Sequence, residues 1–233
     1  MAPKFLLEIS VDGLERAAAA ERGSADRIEL CADLSVGGLT PSRELLRSVR
    51  EKVHIPIFSM VRPRAGDFVY SASEFEDMRR ALRDASESGM DGVVLGILRS
   101  DYRVDIARTQ ELVDLAAPLP VTFHRALDEC AHLREALEAV IQTGAKRILT
   151  SGGASSAAEG SAVLAGLIRL ASDRILILPG AGITHSNIAD VARKTGAVEF
   201  HSGLGKALPY SSRDYSTFES EVRKLAKRLA RPS

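Results

Sequence analysis

Apolar and polar positions follow two different periods along this chain. Eight short apolar runs stand out: Phe5–Ser10, Asp26–Cys31, Ile55–Val61, Asp91–Ile97, Leu119–His124, Lys146–Ser151, Arg174–Leu178 and Ala197–His201. Between them apolar residues recur every three to four positions, as in Phe75, Met78, Leu82 and Ala85, or Leu133, Leu137, Val140 and Ile141. That spacing stacks side chains on one face of a helix. Strands alternating with helices pair in parallel, with the helices packed outside.

Boundary signals support this reading. Ser73 with Glu76, Ser156 with Glu159 and Ser216 with Glu219 predict capping boxes, in which a side-chain oxygen satisfies an orphan amide of the first turn. Thr40-Pro41 predicts an N-cap followed by the first helical residue, where the missing N–H of proline costs nothing. Gly23, Gly89, Gly144 and Gly196 each end a helix shortly before a strand, where a left-handed residue is wanted.

Those glycines also mark a repeat. Each introduces an even-numbered strand: Gly-Ser-Ala-Asp-Arg-Ile-Glu-Leu, Gly-Met-Asp-Gly-Val-Val-Leu-Gly, Gly-Ala-Lys-Arg-Ile-Leu-Thr-Ser and Gly-Ala-Val-Glu-Phe-His-Ser-Gly. The odd strands echo one another too, Ile55-Pro56-Ile57-Phe58 against Leu119-Pro120-Val121-Thr122. A βαβα unit present four times predicts an α/β fold, a TIM (β/α)8 barrel, as one domain over residues 1–233. An open doubly wound sheet is the other fold that fits the alternation.

Composition narrows the partners. With 233 residues and 45% hydrophobic positions, the chain suits one large core. Its 31 basic and 31 acidic side chains cancel, and no Lys/Arg cluster occurs, so neither nucleic acid nor a membrane surface is an expected partner. No apolar run approaches the ~18 residues of a membrane span. Glu8 cuts the run Phe5-Leu6-Leu7, so no export signal is read and a cytoplasmic location is expected. The two cysteines, Cys31 and Cys130, are then expected to be free thiols.

In such a barrel the working residues lie at the C-terminal strand ends. Strand 1 brings Glu8 and Ser10; strand 2 brings Glu29 and Cys31, two apart and so on one face. A carboxylate inside a barrel is costly unless paired. Glu8 and Glu29 are therefore either ion-paired to Arg62, Arg125 or Arg147, or are general acid/base groups. His124 and Asp128 at the end of strand 5 are the further acid/base candidates, and His54 and His132 read as surface residues. Ser151-Gly152 and Gly180-Ala181-Gly182 are short turns before helices, where amides and the helix N-terminus favour an anion; Arg62, Arg125 and His201 would assist. Plain turn geometry is the other account of those glycines. Cys31 and Cys130 are the metal candidates, since Cu(I) prefers soft sulfur ligands; a small buried thiol is the alternative.

Several motifs together are similar to the CutC family: Leu7-Glu8-Ile9, Arg27-Ile28-Glu29-Leu30-Cys31-Ala32, Gly37-Gly38-Leu39-Thr40-Pro41-Ser42, Arg62-Pro63-Arg64 with Gly66-Asp67-Phe68 and Tyr70, Thr122-Phe123-His124-Arg125-Ala126 with Asp128, Leu149-Thr150-Ser151-Gly152 and Pro179-Gly180-Ala181-Gly182-Ile183. The resemblance runs from strand 1 through strand 8. It implies a TIM barrel, a cytoplasmic protein, a homodimer or higher homo-oligomer, and a role in copper homeostasis with copper as the bound ion. The chain departs from the pattern at Ser10, where many relatives carry a cysteine, and this removes a candidate thiolate partner for Cys31. Three functions follow as expectations: copper binding with Cys31 as ligand and Cys130 or His124 assisting, a lyase- or isomerase-type enzyme acting on a small anionic or phosphorylated substrate, or a partner-binding barrel without chemistry.

Overall fold

The two periods resolve into alternating strands and helices. The structure, a computed structural model, describes residues 5–230. Its strands are β1 (Leu6–Val11), β2 (Arg27–Leu30), β3 (Ile57–Met60), β4 (Gly92–Leu95), β5 (Val121–Phe123), β6 (Arg147–Thr150), β7 (Leu176–Pro179) and β8 (Glu199–Ser202). Its helices are α1 (Leu14–Arg22), α2 (Arg43–Lys52), α3 (Ala72–Glu87), α4 (Ile106–Ala116), α5 (Leu133–Gln142), α6 (Ser161–Ala171), α7 (Ile188–Thr195) and α8 (Tyr215–Leu229). Each strand is followed by one of them, and all ladders are parallel.

The sheet order β7-β6-β5-β4-β3-β2-β1-β8 brings β8 back beside β1, and β7 and β8 lie next to each other. This is a nearly closed barrel, as the repeat predicts, and the open doubly wound sheet is excluded. Only the β7–β8 seam has no ladder among the described residues. Leu7, Ile9, Ile28, Leu30, Ile57 and Val93 point outward into the main apolar core, which the helices cover. The barrel interior holds a much smaller apolar set, Cys31, Leu34, Phe58, Met60 and Val94. Polar and charged side chains fill the rest of it.

Helix starts differ from the sequence reading by small shifts. Helix α3 is opened by Ser71 and Glu74 in a full capping box, two residues ahead of Ser73 and Glu76. Helix α8 is capped by Asp214, whose Oδ1 accepts from the Thr217 amide, in place of Ser216. Ser156 accepts from the Glu159 amide at 3.3 Å in a turn ahead of α6, which itself starts at Ser161. Ser42 caps α2, while Thr40 accepts the Arg62 amide at 2.9 Å and ties the β2 loop to the β3 loop. The Ser-x-x-Glu pattern is degenerate where several small polar residues sit together, and the cap is the residue whose side-chain oxygen reaches a first-turn amide.

Gly89, Gly144 and Gly196 are left-handed as expected, with φ of 73°, 82° and 75°. Gly23 is not: its φ is −74°, and Ser24 takes the positive φ of 70°. A glycine is required at position 23 for a different reason. A Cβ there would stand 2.6 Å from Val222 Cβ, because α8 lies directly on the end of α1.

The floor of the barrel shows how charge is accommodated. Glu29, Phe58 and Gly92 are successive register partners across β2, β3 and β4. The Phe58 ring fills the space that a side chain at 92 would need, and the guanidinium groups of Arg27 and Arg147 lie 4.8 and 4.2 Å from its centroid. A Cβ at 92 would come within 2.4 Å of the ring. Gly92→Ala is expected to destabilise the fold by about 1–3 kcal/mol through overpacking. Pairing it with Phe58→Leu should cost less than the sum of the two single changes, as measured by urea unfolding; simple additivity would exclude this packing account.

Candidate functional site

Of the glutamates predicted to work at the strand ends, Glu29 lines one cavity, while Glu8 lies beneath it, level with Arg27 at the start of β2. In register, Glu8 stands beside both Arg27 and His201. Alternation along a strand turns all three toward the barrel axis. Arg27 Nε donates to Glu8 Oε2, Arg27 Nη2 donates to Glu199 Oε2 at 2.6 Å, and His201 Nδ1 bonds Glu8 Oε1 at 2.7 Å. The partner of the buried carboxylate is thus Arg27, not Arg62, Arg125 or Arg147. The sequence carried a signal for this, since Arg27, Glu29 and Cys31 alternate on one strand face.

The electrostatics follow from these contacts. Burial alone would raise the Glu8 carboxyl, but Arg27 and His201 more than offset it and hold it at about 2. Burial raises Glu29, and the Glu8 charge adds to this. Burial would lower His201, but Glu29 and Glu8 raise it, which favours the imidazolium with Nδ1 donating to Glu8. The Nε2 atom of His201 faces Glu29 Oε2 at 3.8 Å, too far for a hydrogen bond, and Glu29 Oε1 is buried without a partner.

Above this floor opens a cavity of about 530 Å³, lined by Ser10, Glu29, Met60, Arg62, Phe68, His124, Arg125, Gly182 and His201, among others. Residues 203–206 and Tyr210 add a wall from the segment after β8. Arg16 fixes that wall, with Nη2 donating to the carbonyls of Pro209, Tyr210 and Ser212. Met60, Phe68, Lys206 and Tyr210 were missed from the sequence. Met60 could have been found by its alternation with Phe58 in β3, whereas the loop after β8 carries no repeat that would reveal it.

His124 is a buried, neutral imidazole. Burial lowers it to about 3, and the nearby charge of Arg62 acts in the same direction. Its Nδ1 accepts the Ala126 amide at 3.2 Å, so the ring proton sits on Nε2, which has no partner. Phe68 packs against the ring, with centroids 4.8 Å apart. His54 and His132 are exposed, as expected.

The other candidates are bound up by the chain itself. Asp128 accepts from the amides of Ser151 and Gly153 at 3.1 and 3.0 Å, from the hydroxyls of Thr150 and Ser151, and from Arg125 Nε at 2.9 Å. Gly152 N donates to Thr150 Oγ1, and Gly180 N to the Thr150 carbonyl. The chain's own carboxylate therefore fills the Ser151-Gly152-Gly153 cradle read as an anion site. Arg62 donates to the carbonyls of Val36, Gly38 and Gly66, clamping two loops, and leaves only Nε without a partner.

Cys31 and Cys130 are both free, buried thiols, but they belong to different apolar clusters and do not share the cavity. Burial and then Glu29 push the Cys31 thiol well above its usual range, and its Sγ lies 3.6 Å from Glu29 Oε2. Burial pushes Cys130 up to about 11, with Asp128 adding to it. Cys130 lines a separate hollow beside α4 and α5. Among the described residues, the His, Cys, Asp and Glu atoms that converge as a candidate metal cluster are those of Glu8, Glu29 and His201.

Two measurements check this geometry. Asp128→Ala should cost about 2 kcal/mol, because it leaves the amide and hydroxyl of buried Ser151 and the hydroxyl of buried Thr150 without their charged acceptor, and hydrogen exchange should rise in residues 150–154. Exchange unchanged there would rule out the latch. For His124, the unfolded chain takes up a proton near pH 6.5 that the folded chain refuses until about 3. Stability is therefore lost as pH falls through that window, with a slope of up to about 1.4 kcal/mol per pH unit from this residue. His124→Gln should flatten the stability profile between pH 6.5 and 4.5, and an unaltered slope would contradict a buried neutral imidazole.

Known proteins share this arrangement of elements. The sequence profile described as the CutC family matches residues 5–206. A human copper homeostasis protein cutC homolog is 48% identical over 197 residues, covering 84% of this chain and 72% of that one. A family protein CutC from Chromobacterium violaceum is 46% identical over 197 residues, covering 84% of this chain and 80% of that one. The crystal structure of a copper homeostasis protein CutC from Streptococcus agalactiae superposes with a TM-score of 0.80 at 30% identity, covering 85% of this chain and 98% of that one. The phosphoribosylanthranilate isomerase of Thermotoga maritima reaches a TM-score of 0.63 at 14% identity over 97% of this chain and 98% of that one, a likeness of fold alone. With its profile match and its relatives in agreement, the chain belongs to the CutC family.

Proposed function

We propose that this protein serves copper homeostasis and that it takes its ligand in the cavity above Glu29, His124 and His201. The observation that carries the reading is the 48% identity to a protein named for copper homeostasis, together with a family match over residues 5–206 that takes in all eight strands. A cytoplasmic protein that self-associates into a homodimer or larger homo-oligomer belongs to the same reading. Among the described residues no helix is long and apolar enough to cross a membrane.

For Cu(I) as cargo, Cys31 is the thiol nearest the cavity, through its contact with Glu29, and the Met60 thioether lines the cavity itself. Cys130 belongs to the other cluster, so an ion held beside Cys31 meets one thiolate and not two. A small anion is a second ligand for the same cavity. The observations that favour it are the unpartnered Nε2–H of His124 and Lys206, which lines the mouth and forms no ion pair among the described residues. Anaerobic Cu(I) titration of the wild type, Cys31→Ala and Cys130→Ala tests the copper reading. A site lost in Cys31→Ala and kept in Cys130→Ala is expected. Stoichiometry unchanged by Cys31→Ala would remove Cys31 from the reading, and absence of Cu(I) binding by the wild type would remove copper.

A further inference from the structure

The geometry points to a divalent transition-metal site at the cavity floor, where His201 Nε2 and the Glu29 carboxylate hold an ion of the Zn²⁺ type and Glu8 orients the histidine. This site differs from the Cu(I) reading in its donors, which are nitrogen and oxygen; Cys31, whose Sγ lies 3.6 Å from Glu29 Oε2, is a neighbour and not a ligand.

Three observations carry it. The first is spacing. Ligand atoms of Glu8, Glu29 and His201 all lie within 4.8 Å of one another, and His201 Nε2 stands 3.8 Å from Glu29 Oε2. Zn²⁺ sits about 2.1 Å from imidazole nitrogen and carboxylate oxygen, so two such donors on one ion are at most about 4.2 Å apart. A gap of 3.8 Å is too wide for a hydrogen bond and right for a shared ion.

The second is orientation. Glu8 bonds the Nδ1 side of His201 at 2.7 Å, and Arg27 in turn holds Glu8. This is the carboxylate–histidine arrangement that presents the far imidazole nitrogen to a metal, the ion displacing the Nε2 proton to solvent as it binds while Nδ1 keeps its proton toward Glu8. Both oxygens of Glu8 are already taken, by His201 and Arg27, so Glu8 is a positioning residue and not a ligand.

The third is the unsatisfied atom. Glu29 is buried, yet its Oε1 has no hydrogen-bond partner. Buried polar atoms rarely stay unpaired, because the desolvation goes uncompensated. An ion bound by the carboxylate supplies that compensation. Glu29 and His201 both line the cavity, which leaves the remaining coordination positions open to water or to an oxygen of a small ligand. That combination, few protein donors and an open side, is the pattern of a reactive or ligand-binding ion more than of a closed structural one.

The test uses the full-length protein stripped with a chelator and titrated with Zn²⁺ by calorimetry. One equivalent is expected in the wild type. His201→Gln and Glu29→Gln should each weaken it at least about tenfold and Glu8→Gln by about ten- to a hundredfold, whereas Cys31→Ala should change it less than either ligand variant and Cys130→Ala, in the other cluster, should leave it unchanged. Co²⁺ substituted for Zn²⁺ should show ligand-field absorption without a thiolate charge-transfer band. A crystal soaked in Zn²⁺ should give an anomalous-scattering peak between His201 and Glu29, a readout that does not depend on any variant folding. No bound Zn²⁺ in the wild type, a thiolate band with Co²⁺, or an anomalous peak elsewhere would each overturn the proposal. The arms stay distinct from the copper test, since loss of Cu(I) binding in Cys31→Ala with Zn²⁺ binding retained leaves this site standing.

Discussion

A carboxylate sealed inside a barrel must be compensated, and that single demand organises this molecule. Glu8 is 1% exposed and remains ionised because Arg27 on one neighbouring strand and His201 on the other both reach it. Removing either partner would leave an uncompensated buried charge, the costly case for internal ion pairs. The contacts also run across β8, β1 and β2, beside the seam where β7 and β8 share no ladder. Side-chain charge pairing therefore reinforces the side of the barrel where backbone pairing is incomplete.

The same compensation sets two histidines of one cavity in opposite states. His201 sits against Glu8 and Glu29, and their charges favour its protonated form. Burial keeps His124 neutral, with the charges of Arg62 and Arg125 acting in the same direction, and its proton sits on Nε2. Residue type does not distinguish them; their neighbours do. The cavity brings both histidines together with apolar surface from Met60, Phe68 and Leu149.

Asp128 illustrates how a polar residue at a strand end can serve the scaffold. Its carboxylate collects amides and hydroxyls from the β6 loop, so the loop is shaped around an internal anion. Glycine-rich turns at barrel strand ends favour bound anions for reasons of amide direction, and the chain can supply that anion itself. Arg62 does the converse with carbonyls, gathering three of them from two loops. Rigid loops of this kind hold the cavity walls in place above the charged floor.

The barrel itself was legible in the chain. Eight apolar runs and four recurring glycine-led units specify parallel strands with covering helices, because hydrophobic period and turn chemistry act locally. Placement of Glu29, His124 and His201 around one cavity, with Glu8 turned to the barrel axis beneath them, agrees with strand alternation and chain direction. Only the tertiary structure decided the partners. Arg27, and not Arg62, Arg125 or Arg147, meets Glu8, because barrel stagger sets which residues of adjacent strands share a level. The glycine at 23 answers to α8, some two hundred residues away in sequence, and Cys31 and Cys130 part company although both follow strands on the same face. Local pattern fixes each element and its faces; contacts between distant segments, and the protonation states they impose, exist only once the ring of strands has closed.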